Sequence, residues 1–244
     1  QRVTTMAEFL LDRGAELEAK DRYGQTALHY ASRGNNENPE LTKFLLDAGA
    51  DVTRRDNGGM TALMNALSNY EGSVRQVEIL LEAGADPEAT DEDGRTPLIY
   101  GAWLGLKTGL LQLLIDAGAD LEATDNDHGM TPLLFAVSWD RWPERWKTMI
   151  SDRILFLLDA GADVTARDNE GHNAWDLIQE NEKLKGTEAY QRLNPDQTTV
   201  TAETSDQGDY QSWIKQIGTS SDELAKGVAV DSSGNAYVTG YTWG

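Results

Sequence analysis

Cysteine is absent from the 244-residue chain. Disulfides, thiolate metal sites and thiol catalysis are excluded, and the redox compartment stays open. Histidine is nearly as scarce, with three residues, none in a zinc-binding arrangement such as His-Glu-x-x-His. Positive charge is also short: 21 lysines and arginines face 41 aspartates and glutamates, for a net charge of −20. Such a chain repels phosphate backbones, so no nucleic-acid partner is expected. The same charge disfavours anionic membrane surfaces and suits a basic or cationic-patched partner. No apolar run reaches bilayer-spanning length, so no membrane insertion is expected. No signal peptide is visible, although the first residue is Gln1 rather than Met, which leaves a removed leader open.

Catalytic patterns are missing too. There is no Gly-x-Ser-x-Gly, no phosphate-cradling glycine loop and no nucleophile–base pairing. Acidic clusters such as Asp91-Glu92-Asp93-Gly94 mimic the start of a calcium loop. Aligning Gly94 with the loop glycine places Ala89 at the first ligand and Tyr100 where the bidentate glutamate belongs. Turn chemistry explains these clusters, and no enzyme activity, metal or cofactor is expected.

What the chain does have is repetition. A Gly-Ala-(Asp/Glu) phrase closes an aliphatic run at Gly14, Gly49, Gly84, Gly118 and Gly161, with first steps of 35, 35 and 34 residues. Each is followed by Asp-x-x-Gly-x-Thr-(Ala/Pro)-Leu: Asp21 to Leu28, Asp56 to Leu63 and Asp91 to Leu98. The copy from Asp125 to Leu133 has one extra residue, and that from Asp168 to Trp175 has Asn173 for threonine. A period of this length predicts a stacked solenoid. Within each unit, Asp-x-x-Gly fits a type I turn. Thr26, Thr61, Thr96 and Thr131 stand where helix N-caps belong, and Pro97 and Pro132 follow at the first helical position. The Ala-Gly step ends the second helix through a left-handed cap. Ile150, Ile154, Leu157 and Leu158 form its apolar stripe, as do Val77, Leu80 and Leu81.

These phrases resemble the ankyrin repeat. Asp91 to Leu98 matches its turn and first helix, and Ala27-Leu28-His29-Tyr30-Ala31 its Thr-Pro-Leu-His-x-Ala phrase. The resemblance covers about residues 4–194. It implies a mostly α fold of helix-turn-helix units whose concave surface binds a protein, and a structural role for His29 bridging turn and helix. Met64, Ile99 and Leu134 replace that histidine in later copies. Thr5-Met6-Ala7-Glu8 reads as a capping box opening a second helix. Met6, Phe9 and Leu10 then need cover from repeats or another segment further upstream. The residues from Glu180 to Leu193 read as the closing cap.

Three parts are expected: an ankyrin domain over 1–194, a linker over 195–209 and a β segment over 210–244. Trp213-Ile214-Lys215-Gln216-Ile217-Gly218-Thr219-Ser220 and Val230-Asp231-Ser232-Ser233-Gly234-Asn235-Ala236-Tyr237-Val238-Thr239-Gly240 are similar to one unit of a bacterial β-propeller repeat family, SBBP, over about 211–243. Two β-rich runs around Asp-Ser-Ser-Gly-Asn predict a hairpin. A single blade cannot close a propeller, which predicts a longer parent chain or pairing and self-association with another chain's strands. The two resemblances point to opposite compartments, cytoplasmic for ankyrin arrays and secreted or cell-surface for the propeller unit.

The ankyrin resemblance supplies contact positions. Turn tips are Arg22, Tyr23 and Gln25; Asn57 and Met60; Glu92, Asp93 and Arg95. Later repeats add Asn126, Asp127, His128, Met130, Asn169, Glu170 and His172, and the helix ends Arg33, Asn69, Trp103 and Trp139. One repeat breaks period: Thr131 to Gly161 spans 30 residues against 23 for Thr26 to Gly49. Its insertion, about residues 138–152, carries Trp139, Trp142, Trp146 and several cations, the side chains enriched at interface hot spots. It reads either as a lengthened first helix packed on itself or as partner-contacting. Arg22, Tyr23, Arg33, Met60, Arg95, Trp103, Met130, Trp139 and Trp142 are therefore the candidate partner-binding residues. Tyr30, Tyr100 and Phe135 share one helix position and read as core. The alternative function is a structural assembly or cell-surface subunit acting through the C-terminal β segment.

Overall fold

A computed structural model describes residues 2–33, 39–68, 74–138 and 147–195, with three short backbone segments further on. The chain divides into two compact units, Gln1–Lys185 and Gly186–Gly244. In the first, each Thr- or Asn-capped segment forms a short helix: α2 (Ala27–Ala31), α4 (Ala62–Leu67), α6 (Pro97–Leu104), α8 (Pro132–Ser138) and α10 (Ala174–Glu180). The aliphatic runs form the second helices: α1 (Arg2–Asp12), α3 (Pro39–Asp47), α5 (Val74–Glu82), α7 (Thr108–Asp116) and α9 (Lys147–Asp159). Like helices stack on like, α2 on α4, α4 on α6 and α6 on α8, and α3 on α5 on α7.

Short helices of this kind hold only because packing supports them. Leu28, Leu63, Leu98 and Leu133 recur at one position of the first helices, and all are buried. Val77, Leu80, Leu110, Leu111, Leu114, Ile150, Ile154 and Leu157 cover them from the second helices. Each such burial contributes about 1.5–3 kcal/mol. Buried polar groups close the helix ends. The Ala31 carbonyl accepts from the Thr42 hydroxyl at 3.2 Å and the Gln76 amide at 2.7 Å. The Val137 carbonyl accepts from Asn181 at 3.4 Å.

The turns are joined as firmly as the helices. In every repeat the aspartate Oδ1 accepts the N–H four residues on, or five in the lengthened copy: Gln25, Met60, Arg95, Met130 and His172. Successive turns then bond to one another through the backbone. The Asn57 N–H donates to the Tyr23 carbonyl, Glu92 to Gly58, Asn126 to Asp93 and Asn169 to His128, at 2.7–3.0 Å. Glycine is required at these tips twice over. Gly94 has φ +78°, and a Cβ there would stand 2.6 Å from the Asn126 side chain of the next repeat. A second ladder runs below: Glu18, Glu88 and Glu122 accept the N–H of Asp51, Asp120 and Asp163 one repeat on.

Two local expectations change. The proposed capping box at Thr5 lies inside α1, which already runs from Arg2, so Thr5 cannot adopt the extended backbone of a cap. Met6, Phe9 and Leu10 are exposed on that helix. In the long repeat the second helix, α9, has 13 residues against nine in α3, α5 and α7, and residues 139–146 of the insertion lie outside the described residues. Arg153, the cation just past the insertion, is buried on α9 at 1% exposure.

The second unit opens with α11 (Glu188–Leu193), capped by the Thr187 side chain. Backbone segments β1 (Val200–Ala202), β2 (Leu224–Val230) and β3 (Ala236–Tyr241) follow, in the order β1-β3-β2 with antiparallel neighbours.

The turn stack predicts unequal costs for two glycines. Gly84 also has positive φ, but a Cβ there meets nothing within 4 Å. Gly84→Ala should cost only the left-handed penalty, about 1–2 kcal/mol. Gly94→Ala should lose a further 1–3 kcal/mol or so through overlap with Asn126. Urea unfolding of both variants checks this; equal losses would mean the turns do not touch.

Candidate functional site

The turn tips and the adjoining faces of the first helices carry two side-chain clusters. The first belongs to repeats one and two. Tyr23 is 53% and Tyr30 42% exposed, and each ring lies under a guanidinium, Arg22 at 4.6 Å and Arg33 at 4.5 Å from the centroid. The Tyr30 hydroxyl donates to Asp21 at 2.8 Å. Arg33 donates to the Gln25 side-chain Oε1 at 2.6 Å, and the Gln25 side-chain amide donates across to Asp56 at 2.8 Å. The rings are thus exposed yet held in place.

The second cluster spans repeats three and four. Trp103 packs between Tyr100 and Phe135, with ring centroids 5.9 and 6.5 Å apart. Arg95 lies 5.1 Å over the Trp103 ring and pairs with Asp93 at 2.7 Å. The Tyr100 hydroxyl donates to buried Asp91 at 2.6 Å. Burial and this hydrogen bond push the Tyr100 phenol well above its ordinary value, so it stays a donor. Tyr100 and Phe135 are core, as expected, at 8% and 7% exposure. Tyr30 is not. The residue three on from it is Arg33, which lies over one face of the ring, whereas Trp103 packs against both Tyr100 and Phe135.

Of the remaining candidates, Met60 and Met130 are half-buried, and their backbones close the turns. Asn69, Trp139, Trp142 and Trp146 lie outside the described residues. His29 bridges turn and helix. Its Nδ1 accepts from the Thr26 N–H at 3.2 Å, and its Nε2 stands 3.1 Å from the Met60 carbonyl of the next repeat. A carbonyl can only accept, which places the proton on Nε2. At the other end Asn173 replaces the threonine cap without loss. It accepts from the Asp176 N–H at 3.0 Å, and Asp176 accepts from the Asn173 N–H at 3.1 Å.

The charged groups are tuned by their turns. Burial pushes the Asp21 carboxyl up, but the Gln25 N–H, the Tyr30 hydroxyl, the Tyr23 N–H and Arg22 together hold it below 3.8. The hydroxyl and N–H of Thr53 do the same for Asp51, and those of Thr165 for Asp163. Glu88 is raised by burial. Asp125, Asp127 and His128 bring potential ligand atoms within 4.8 Å of one another. Asp125 is already committed to its turn, accepting from Met130 at 2.7 Å. Among the described residues no helix is long and apolar enough to cross a membrane.

The inter-repeat roles of two polar positions are what the sequence reading missed, placing Asn57, Asn126 and Asn169 only among the partner-contacting tips. Glu18, Glu88 and Glu122 all stand four residues after the capping glycine, and Asn57, Asn126 and Asn169 directly after the turn aspartate. That recurrence was the available signal.

Three overlapping stretches, residues 2–91, 35–125 and 71–168, match the family model for ankyrin repeats (three copies). Residues 212–244 match the family model for a β-propeller repeat. No curated protein matches the chain.

Two tests follow. His29→Leu keeps the apolar volume found in later repeats but leaves the Thr26 N–H without its acceptor, and should cost about 1–3 kcal/mol in urea unfolding. An unchanged midpoint would contradict the bridge. Because Asp21, Asp51 and Asp163 titrate below 3.8 when folded, their stabilisation is full above that pH and lost as pH falls further. Urea midpoints measured down the acid range should drop below pH 3.8, less steeply in Asp163→Asn.

Proposed function

The chain belongs to the ankyrin-repeat family, and from that premise we propose that it is a non-enzymatic scaffold gripping a protein partner on the concave side of its turns and first helices. Ankyrin repeats are protein-interaction modules, and no helix among the described residues reads as membrane-spanning. The observation that carries the finer reading is the pair of arginine–aromatic clusters. Tyr, Trp and Arg dominate interface hot spots, and here Tyr23, Tyr30 and Trp103 lie under stacked arginines, with the Tyr30 hydroxyl bonded to Asp21, before any partner arrives. Preorganisation of this kind spares the ordering cost that consumes most interface energy. An interface of about 1,600 Å2 is the ordinary size for such a contact.

Arg22, Tyr23, Arg33, Met60, Arg95, Trp103, Met130, Trp139 and Trp142 are the proposed contact residues. The proposed domain bounds remain 1–194, 195–209 and 210–244. Pulldown from the native source should recover a partner with the unaltered chain and lose most of it with Trp103→Ala. A hot-spot truncation costs about 2 kcal/mol or more, roughly thirtyfold in affinity. Undiminished capture by a variant with an unchanged far-ultraviolet spectrum would overturn the assignment.

A second reading draws on the C-terminal match, which covers one propeller unit. Here β2 and β3 form the hairpin of a single blade whose strands pair with another chain or with a longer propeller. Light scattering separates the readings: a monodisperse monomer argues against strand pairing between chains, and concentration-dependent dimers support it.

A further inference from the structure

The lower ladder is broken at one junction. Glu18, Glu88 and Glu122 reach across to the N–H of Asp51, Asp120 and Asp163 at 2.8–2.9 Å. At the first of these junctions the other Glu18 oxygen also meets Arg54, at 3.3 Å. Between repeats two and three both members of that pair are replaced. Thr53 stands at the glutamate position and Ala89 at the position of Arg54. The Thr53 hydroxyl donates to Asp51 in its own repeat at 2.6 Å. Among the described residues nothing accepts from the Asp86 N–H, the counterpart of the three bonded amides.

A cleft of about 340 Å3 opens at this junction. Thr53 and Arg55 line it from repeat two, and Asp86, Glu88 and Thr90 from repeat three. These are the positions that hold Glu18 and its surroundings one junction earlier, so the cleft is the space a glutamate and an arginine would fill. Arg55 extends across the junction, its guanidinium 3.4 Å from the Thr90 hydroxyl and its Nε donating to the Gly59 carbonyl at 3.2 Å. Lys20 adds a second cation beside it, donating to the Arg55 carbonyl at 3.0 Å. The Asp86 N–H and the Arg55 guanidinium are two donors, and a carboxylate has an oxygen for each. Asp86 and Glu88 also bring negative charge, but the ladder tolerates such crowding. Glu88 keeps its bond to the Asp120 N–H although burial, with Asp120 and Asp86 close by, holds its carboxyl above the ordinary value.

We propose that this cleft takes a glutamate side chain from a protein partner, which completes the broken ladder by accepting from the Asp86 N–H and the Arg55 guanidinium. The partner's residue does at this junction what Glu18, Glu88 and Glu122 do at theirs. None of the cleft residues is among the proposed concave-side contacts, so this is a second point of attachment, independent of that reading.

Nuclear magnetic resonance on the full chain, titrated with the peptide acetyl-Gly-Glu-Gly-amide, is the test. The Asp86 amide resonance should move saturably, with a dissociation constant on the order of millimolar. The glutamine counterpart of the peptide should bind at least about tenfold more weakly, and Arg55→Gln should weaken the glutamate peptide by a similar factor. Thr53→Glu supplies the missing carboxylate from within the chain. It should slow exchange of the Asp86 amide to the level of Asp120 and abolish the response to the peptide, while the remaining amide spectrum shows the fold intact. An Asp86 amide silent to the peptide, equal responses to the glutamate and glutamine peptides, or undiminished binding by Thr53→Glu would each overturn the proposal. Trp103→Ala, which tests the concave side, should leave this titration unchanged; a response lost with that variant alone would place the peptide elsewhere and overturn it too.

Discussion

The repeat array depends on one backbone interaction: the N–H after each turn aspartate donating to a carbonyl in the turn before it. Four such bonds, at Asn57, Glu92, Asn126 and Asn169, tie five turns together. They form only because each aspartate clamps its own turn and each glycine leaves room for the next. Burial of the leucine rows supplies most of the energy, but a hydrophobic contact is non-directional. The turn ladder adds direction and fixes the register in which successive repeats meet.

That register turns a family fold into a particular surface. Equivalent helix positions fall in rows, so a change of side chain from repeat to repeat becomes a change along the row. Tyr30, with Arg33 over its ring, stays exposed, whereas Tyr100 and Phe135, with Trp103 packed between them, are buried. The arginines over these rings serve twice, shielding apolar faces from water while keeping a charge at the surface.

Much of this was legible in the sequence. Period, turns, caps and the aliphatic stripes follow from local rules, and Gly24, Thr26 and Leu28 can each be assigned from a few neighbours. The structural histidine was readable because its phrase is distinctive. Tyr30 was not: Arg33 stands over it where a tryptophan stands over Tyr100, and reading one helix position alone treats all three rings alike. The Thr5 cap failed for the same kind of reason, since a capping phrase is permissive and α1 simply runs through it. Glu18, Gln76 and Asn181 escaped because their partners are backbone groups in another repeat, which leave no mark in composition.

Native-state hydrogen exchange at the four ladder amides tests the stack most directly. Asn57, Asn126 and Asn169 sit on exposed turn tips, where unbonded amides exchange at nearly the free-peptide rate. The account predicts protection comparable to that of the adjoining helices, with all four opening together. Fast, independent exchange at these positions, while the helices stay protected, would contradict it.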